Sequence, residues 1–206
     1  MASSYGISER RREWILLVRL FRLSAAAVAR RTRAVACVWW LALVVASGVA
    51  AAFPREYQVK AIFLFNFTQF VDWPRSAEPE RSIAICILGE DPFGSYLDDA
   101  LRGEHVDNRA LVVRRYRRAE DIENCQVLFI SQSESSRIDA ALARVRDSGT
   151  LTVSDARDFS ERGGMVGFVT DDNRVRLRIN VAVARAAGIT ISSKLLRVAE
   201  IIGDNR

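Results

Sequence analysis

Two stretches, SIAICILG (82–89) and QVLFIS (126–131), are apolar without alternation, a third, TLTVSD (150–155), also reads as an apolar strand, and all are too short for helices of their own. A strand with one wet face alternates apolar and polar residues. A continuous apolar run needs cover on both faces, which points to a mostly parallel sheet between helical layers. The intervening segments supply the layers. Asp91-Pro92 suits a helix cap and first helical position, opening a helix to about Arg102. ALVVRRY (110–116) reads as another strand, followed by a helical turn from Ala119 to Ile122. A helix is predicted from about Ser136 to Arg146 and a shorter one from Ala156 to Glu161. Upstream, EYQVKAIFLFNFTQFV (56–71) carries Val59, Ile62, Phe63, Phe67, Phe70 and Val71 at helical spacing and stops before Pro74. Downstream the rule changes: MVGFVTDDNRVRLRIN (165–180) reads as two strands around an Asp-Asp-Asn turn, an antiparallel hairpin. At the end, Leu195, Leu196, Val198, Ala199 and Ile202 take one side, and Lys194, Arg197, Glu200 and Asp204 the other. That pattern predicts a C-terminal amphipathic helix capped by Ser192 or Ser193. The expected class is therefore α/β: a mostly parallel sheet flanked by helices on both faces, with a C-terminal antiparallel hairpin and a C-terminal amphipathic helix.

The first 52 of the 206 residues read as an address. Met1 to Arg33 hold eight arginines against Glu9 and Glu13, followed by the apolar AVACVWWLALVVASGVAAA from Ala34 to Ala52. A basic region, an apolar core and a small-residue exit at Ala50-Ala51-Ala52 describe a secretory signal peptide; an uncleaved N-terminal membrane anchor is the alternative. Cys37 stands at the start of the apolar core and not after it, so it does not suit a lipid anchor. The expected organisation is 1–52 as leader and 53–206 as a single exported domain. The leader also explains the basicity. The whole chain has a net charge of +5, but from Phe53 onward 22 basic residues face 23 acidic ones. Nothing there resembles a phosphate track for nucleic acid, and Arg114, Arg115, Arg117 and Arg118 read as a solvated face.

Motifs for catalysis are missing. The single histidine, His105, lies in a polar loop, and no phosphate-binding glycine loop, nucleophile elbow or paired cysteine-histidine metal spacing occurs. Ser193 and Lys194 are adjacent, so on a helix they diverge and form no catalytic dyad. No catalytic residue, metal or cofactor is assigned. In an open α/β sheet ligands bind outside the carboxyl ends of the strands. That crevice would be lined by Gly89, Glu90 and Asp91, then Ser131, Gln132 and Ser133, then Ser154 and Asp155. These residues would either hold a small anion or serve as ordinary helix and turn caps.

Two cysteines remain beyond the leader, Cys86 inside the first apolar run and Cys125 at the entrance to the second. In an oxidising compartment they would pair if the two strands are neighbours; otherwise they are two separate buried thiols.

EYQVKAIFLFNFTQFVDWP, SIAICILGEDPFG, CQVLFIS, TLTVSDARDF, GGMVGFV and RVRLRINVAVARAAGITISSKLL follow one another in the order and spacing of the YfiR family, also described as DUF4154, which the chain resembles from about Glu56 to Ile202. The resemblance implies a small periplasmic homodimer without enzymatic activity. It would bind and inhibit an inner-membrane diguanylate cyclase of the YfiN type and so lower cyclic di-GMP, with membrane contact only through the leader or this partner. It also matches Cys86 and Cys125 to one family disulfide; a second family pair, nearer the carboxyl end, has no counterpart here. The alternative function is a periplasmic small-molecule binding protein that uses the strand-end crevice.

Overall fold

The computed structural model describes residues 55–74, 81–172 and 174–203, all within the compact unit Ala52–Arg206. The expected leader lies outside the described residues, as does Asp204. Helix α1 (Arg55–Phe70) leads into β1 (Val71–Asp72), which pairs with β9 (Thr190–Ile191) as a small antiparallel ribbon. The main sheet comprises β2 (Ser82–Leu88), β3 (His105–Val106), β4 (Arg109–Tyr116), β5 (Val127–Ile130), β6 (Leu151–Ser154), β7 (Val166–Asp171), β8 (Arg174–Asn180) and β10 (Ala199–Ile202). Its order is β10-β8-β7-β6-β5-β2-β4-β3. From β7 to β4 all pairings are parallel, in keeping with the unalternating runs of β2 and β5. β7 and β8 form the antiparallel hairpin, with Val166 opposite Ile179 and Asp172 turning in the left-handed region at φ 46°.

Helices cover the sheet unequally. Ile83, Ile85, Ile87, Val127, Phe129 and Val153 point to one face, where α1, α2 (Ser95–Leu101) and α4 (Val181–Ala186) pack. Ala84, Cys86, Leu88, Leu128 and Ile130 point to the other, where α3 (Ile138–Val145), a single 3-10 turn (Ala119–Asp121) and the turns after Asp155 form the cover. The mostly parallel α/β class and the hairpin stand as expected.

Four local expectations are corrected. The C-terminal amphipathic helix is only the single turn α5 (Ser193–Leu196), with the Ser192 hydroxyl accepting from the Lys194 amide at 3.3 Å. Residues 199–202 instead pair in parallel with Leu177–Asn180 of β8, because a free strand edge offers backbone partners that outweigh a short helical periodicity. The segment from Ala156 to Glu161 is a series of turns, with Phe159 buried beneath it. Helix α2 begins at Ser95, later than the Asp91-Pro92 pair, because the Asp91 carboxylate first closes a turn by accepting from the amides of Phe93 (2.7 Å) and Gly94 (3.2 Å). Finally, α1 is rotated from the predicted face. Val59 and Ile62 are 41% and 50% exposed, while Lys60, Ala61, Leu64, Phe67 and Thr68 are buried.

Candidate functional site

The rotation of α1 carries Lys60 to the carboxyl edge of the sheet, where it is 1% exposed. Its ammonium lies between two carboxylates, 2.6 Å from Glu56 Oε1 one turn earlier and 2.6 Å from Asp155 Oδ2 at the end of β6. The Tyr57 hydroxyl donates to the same Asp155 oxygen at 2.9 Å. Burial, reinforced by the Asp155 charge, pushes the Tyr57 hydroxyl far above its usual range, so it remains a donor. For Glu56 burial acts upward, but hydrogen bonds from Lys60 and Thr170 outweigh it and hold the carboxyl below its ordinary range. Asp155 Oδ1 has no partner among the described residues. A cleft of about 400 Å³ opens here, lined by Glu56, Lys60, Gln132, Asp155, Phe168 and Thr170 among others.

The eight predicted crevice residues fall into separate small networks. Gly89 adopts φ 91°, and a side chain there would strike Glu134 Cγ at 2.8 Å, so the backbone turns tightly against the start of the next segment. The neighbouring Glu90 amide donates to the Ser133 hydroxyl at 2.9 Å. Asp91 also accepts from Arg115 Nε at 2.7 Å, and Arg115 reaches Asp98 and the Gly94 carbonyl as well. Arg115 is thus a clamp between β4 and α2, where a solvated face was expected. The Ser131 hydroxyl accepts weakly from the Ser133 amide at 3.4 Å, and Ser154 bridges the Ile130 carbonyl (2.6 Å) and the Ala156 amide (3.0 Å). Gln132 donates to the Asp155 carbonyl at 3.1 Å. Of the eight, Gln132 and Asp155 line the cleft; the others are engaged in caps and turns around it.

Sequence reasoning named Asp155 and missed Tyr57 and Lys60, which in isolation look like polar residues on a helix surface. The available signal was position: Lys60, Leu64, Phe67 and Thr68 share one face at helical spacing, so a lysine falls on the buried stripe.

At the amino edge, Cys86 and Cys125 form a disulfide, their α-carbons 6.0 Å apart. Cys86 lies opposite Leu128 on the adjacent parallel strand, three residues beyond Cys125, so the bridge ties β2 to the chain just before β5 and not to a paired position of the ladder. The entrance to β5 is further tied by the Gln126 amide to the Ala84 carbonyl (3.1 Å) and by the Thr150 hydroxyl to the Cys125 carbonyl (2.7 Å). A hollow of about 980 Å³ lies beside it, lined by Trp73, His105, Asn124, Cys125 and Arg144 among others. His105 is exposed, with Nδ1 2.9 Å from the Gly103 carbonyl oxygen.

Among the described residues no helix is long and apolar enough to cross a membrane, and no group of three or more histidine, cysteine or acidic residues is placed to hold a metal. A sheet covered on both faces, stapled at one edge and ionically latched at the other, defines a compact α/β domain. The chain belongs to the YfiR/HmsC-like family, DUF4154, which it matches over residues 57–200. That membership supports a periplasmic regulatory role in general. No curated protein matches the chain. Among solved structures, a conserved domain protein of Vibrio cholerae O1 biovar El Tor is similar at 15% identity and a TM-score of 0.47, over 70% of this chain and 59% of its own. The ABC domain from Streptococcus pneumoniae, solved in complex with L-Trp, is similar at 14% identity and a TM-score of 0.45, over 58% of this chain and 55% of its own. This chain thus covers less than two thirds of the length of either structure.

Proposed function

We propose that this protein is a periplasmic, non-enzymatic regulator that binds an inner-membrane diguanylate cyclase and holds it inactive, lowering cyclic di-GMP. The observation that carries the reading is family membership across 57–200, nearly the whole described domain. The geometry is compatible with it: most of the polar groups at the strand ends are engaged with one another, as suits a scaffold that presents a surface to a partner. In this reading residues 1–52 direct export, the domain acts as a homodimer, and the Cys86–Cys125 bridge sustains its level in an oxidising compartment.

Deleting the gene removes the restraint, so cyclic di-GMP and biofilm matrix should rise and should return to normal on complementation. Unchanged nucleotide levels, in a strain whose parent demonstrably expresses the protein, would refute the inhibitor role.

A further inference from the structure

Asp155 Oδ1 is the polar side-chain atom that the fold leaves without an answer among the described residues. The Asp155 side chain is 3% exposed, and its other oxygen is already taken by Tyr57 and Lys60. Buried carboxylate oxygens normally find a donor, so an orphan beside a cleft calls for one from outside the chain. The cleft, at about 400 Å³, is of the size that small-molecule sites occupy. Its wall is electronegative. Lys60 is held between Glu56 and Asp155, and Arg178 between Glu161 (2.7 Å) and Glu200 (3.1 Å), so each of these cations is outnumbered by its own partners. Asp158 adds a further carboxylate to the lining and Arg157 a further cation, leaving the excess negative. A bare divalent ion does not suit the site, because such ions need several oxygen ligands and Lys60 Nζ already occupies the centre of this set.

We propose that this cleft binds a small organic cation, a primary ammonium or guanidinium compound, whose N–H donates to Asp155 Oδ1. Gln132 is the gate: it is exposed, it lines the cleft, and its amide holds the Asp155 carbonyl by one bond of 3.1 Å, which a side-chain swing breaks. The assignment is independent of the cyclase reading, because binding by the isolated protein and control of an enzyme are measured separately.

The test uses protein purified from the full-length gene and titrated at constant ionic strength with ethylammonium, methylguanidinium and tetramethylammonium, the last having charge but no N–H. Either donor cation should shift the backbone amide resonances of Gln132, Ala156 and Phe168 to saturation, and tetramethylammonium should not. Asp155→Asn should weaken binding about tenfold, the scale of one charge-assisted hydrogen bond. Val169→Trp, at the half-buried rim, should block entry while leaving the polar set in place. Absence of saturation with both donor cations, or an equal response to tetramethylammonium, would overturn the assignment. So would a response that survives Val169→Trp unchanged, which decides the matter even if Asp155→Asn fails to fold.

Discussion

The two faces of the sheet are built to different standards. On one, α1, α2 and α4 close over a core that includes Phe67, Phe93, Phe129 and Phe168, whose rings meet in a chain of edge, tilted and stacked contacts with centroids 4.9 to 6.5 Å apart. On the other, one eight-residue helix, a 3-10 turn and an irregular segment cover a core about half as populous: twelve buried residues against twenty-five, among those described. The thin face contains the disulfide. A large apolar layer is held by burial alone, whereas a small one gains proportionately more from a covalent tie. The faces are joined at the carboxyl edge, where Lys60 from the thick side grips Asp155, the residue that leads into the thin side's irregular cover.

That junction is where the largest effect is expected. Lys60→Met should destabilise the protein by about 3–5 kcal/mol, since it leaves the Asp155 carboxylate buried with only the Tyr57 hydroxyl for support. Changing both partners, Lys60→Met with Asp155→Leu, should recover most of the loss, because a buried pair replaced by apolar groups is often neutral. Urea midpoints for the two proteins make the comparison. A double variant as unstable as the single one would place the loss in packing and remove the latch from the account.

The disulfide comes next. Its 39-residue separation corresponds to at most about 4 kcal/mol of loop-closure stabilisation. Reductant should lower the melting temperature of the wild type but leave a Cys86→Ser, Cys125→Ser protein unchanged. The finer expectation concerns place: in hydrogen exchange under reductant, the amides of α3 on the thin face should lose protection while those of α1 keep theirs. Loss of both together would mean that the sheet opens as one unit.

The thick and thin faces also differ in how far the sequence disclosed them. β2 and β5 were legible because a run buried on both sides has no alternation to misread, β6 as a short strand-forming run despite its alternating Thr and Ser, and the β7–β8 hairpin because its turn residues announce it. Helix α1 was legible as an element but not in orientation. Its apolar residues nearly encircle it, so Val59 and Ile62 competed with Ala61 and Leu64 for the inner face, and only packing decided. The terminal strand β10 was hidden because Leu195 to Ile202 carries a helical period, whereas its pairing with β8 is a contact far along the chain. The thin side's irregular cover offers no period at all. The site follows the same rule: Asp155 was found from its place at a strand end, and Lys60 and Tyr57, brought to it by the rotation of α1, were not.

A smaller effect is expected at Gly164, where an added methyl would enter the space filled by the Phe159 ring. Gly164→Ala should cost about 1–3 kcal/mol by overpacking the thin face. Pairing it with Phe159→Leu should relieve part of that cost, as thermal melts of the two proteins would report. If the methyl is tolerated outright, the thin layer is looser than its burial implies.

The smallest effect separates the faces by pH. The thick side's helices carry two carboxyls held below their ordinary range: Glu56 on α1, where hydrogen bonds from Lys60 and Thr170 outweigh burial, and Asp98 on α2, where the Arg115 hydrogen bond dominates. A carboxyl whose pKa is lower in the folded than in the unfolded chain adds stability above its unfolded value, about 4.3 for Glu and 3.9 for Asp, and loses it as the pH falls through the folded value. Stability from this source should therefore be constant between neutrality and about pH 5, then decline in more acidic solution. Both side chains are partly exposed, 35% for Glu56 and 40% for Asp98, so solvent and salt screen the contribution and it remains modest. Glu56→Gln with Asp98→Asn should flatten this part of the acid limb, measured as urea midpoints from pH 7 to pH 3, and high salt should shrink the difference from the wild type. In hydrogen exchange the acid loosening should appear first in α1 and α2, the reverse of the order expected under reductant. If acid opens α3 before α1, the two faces are not held by the separate means their structures indicate.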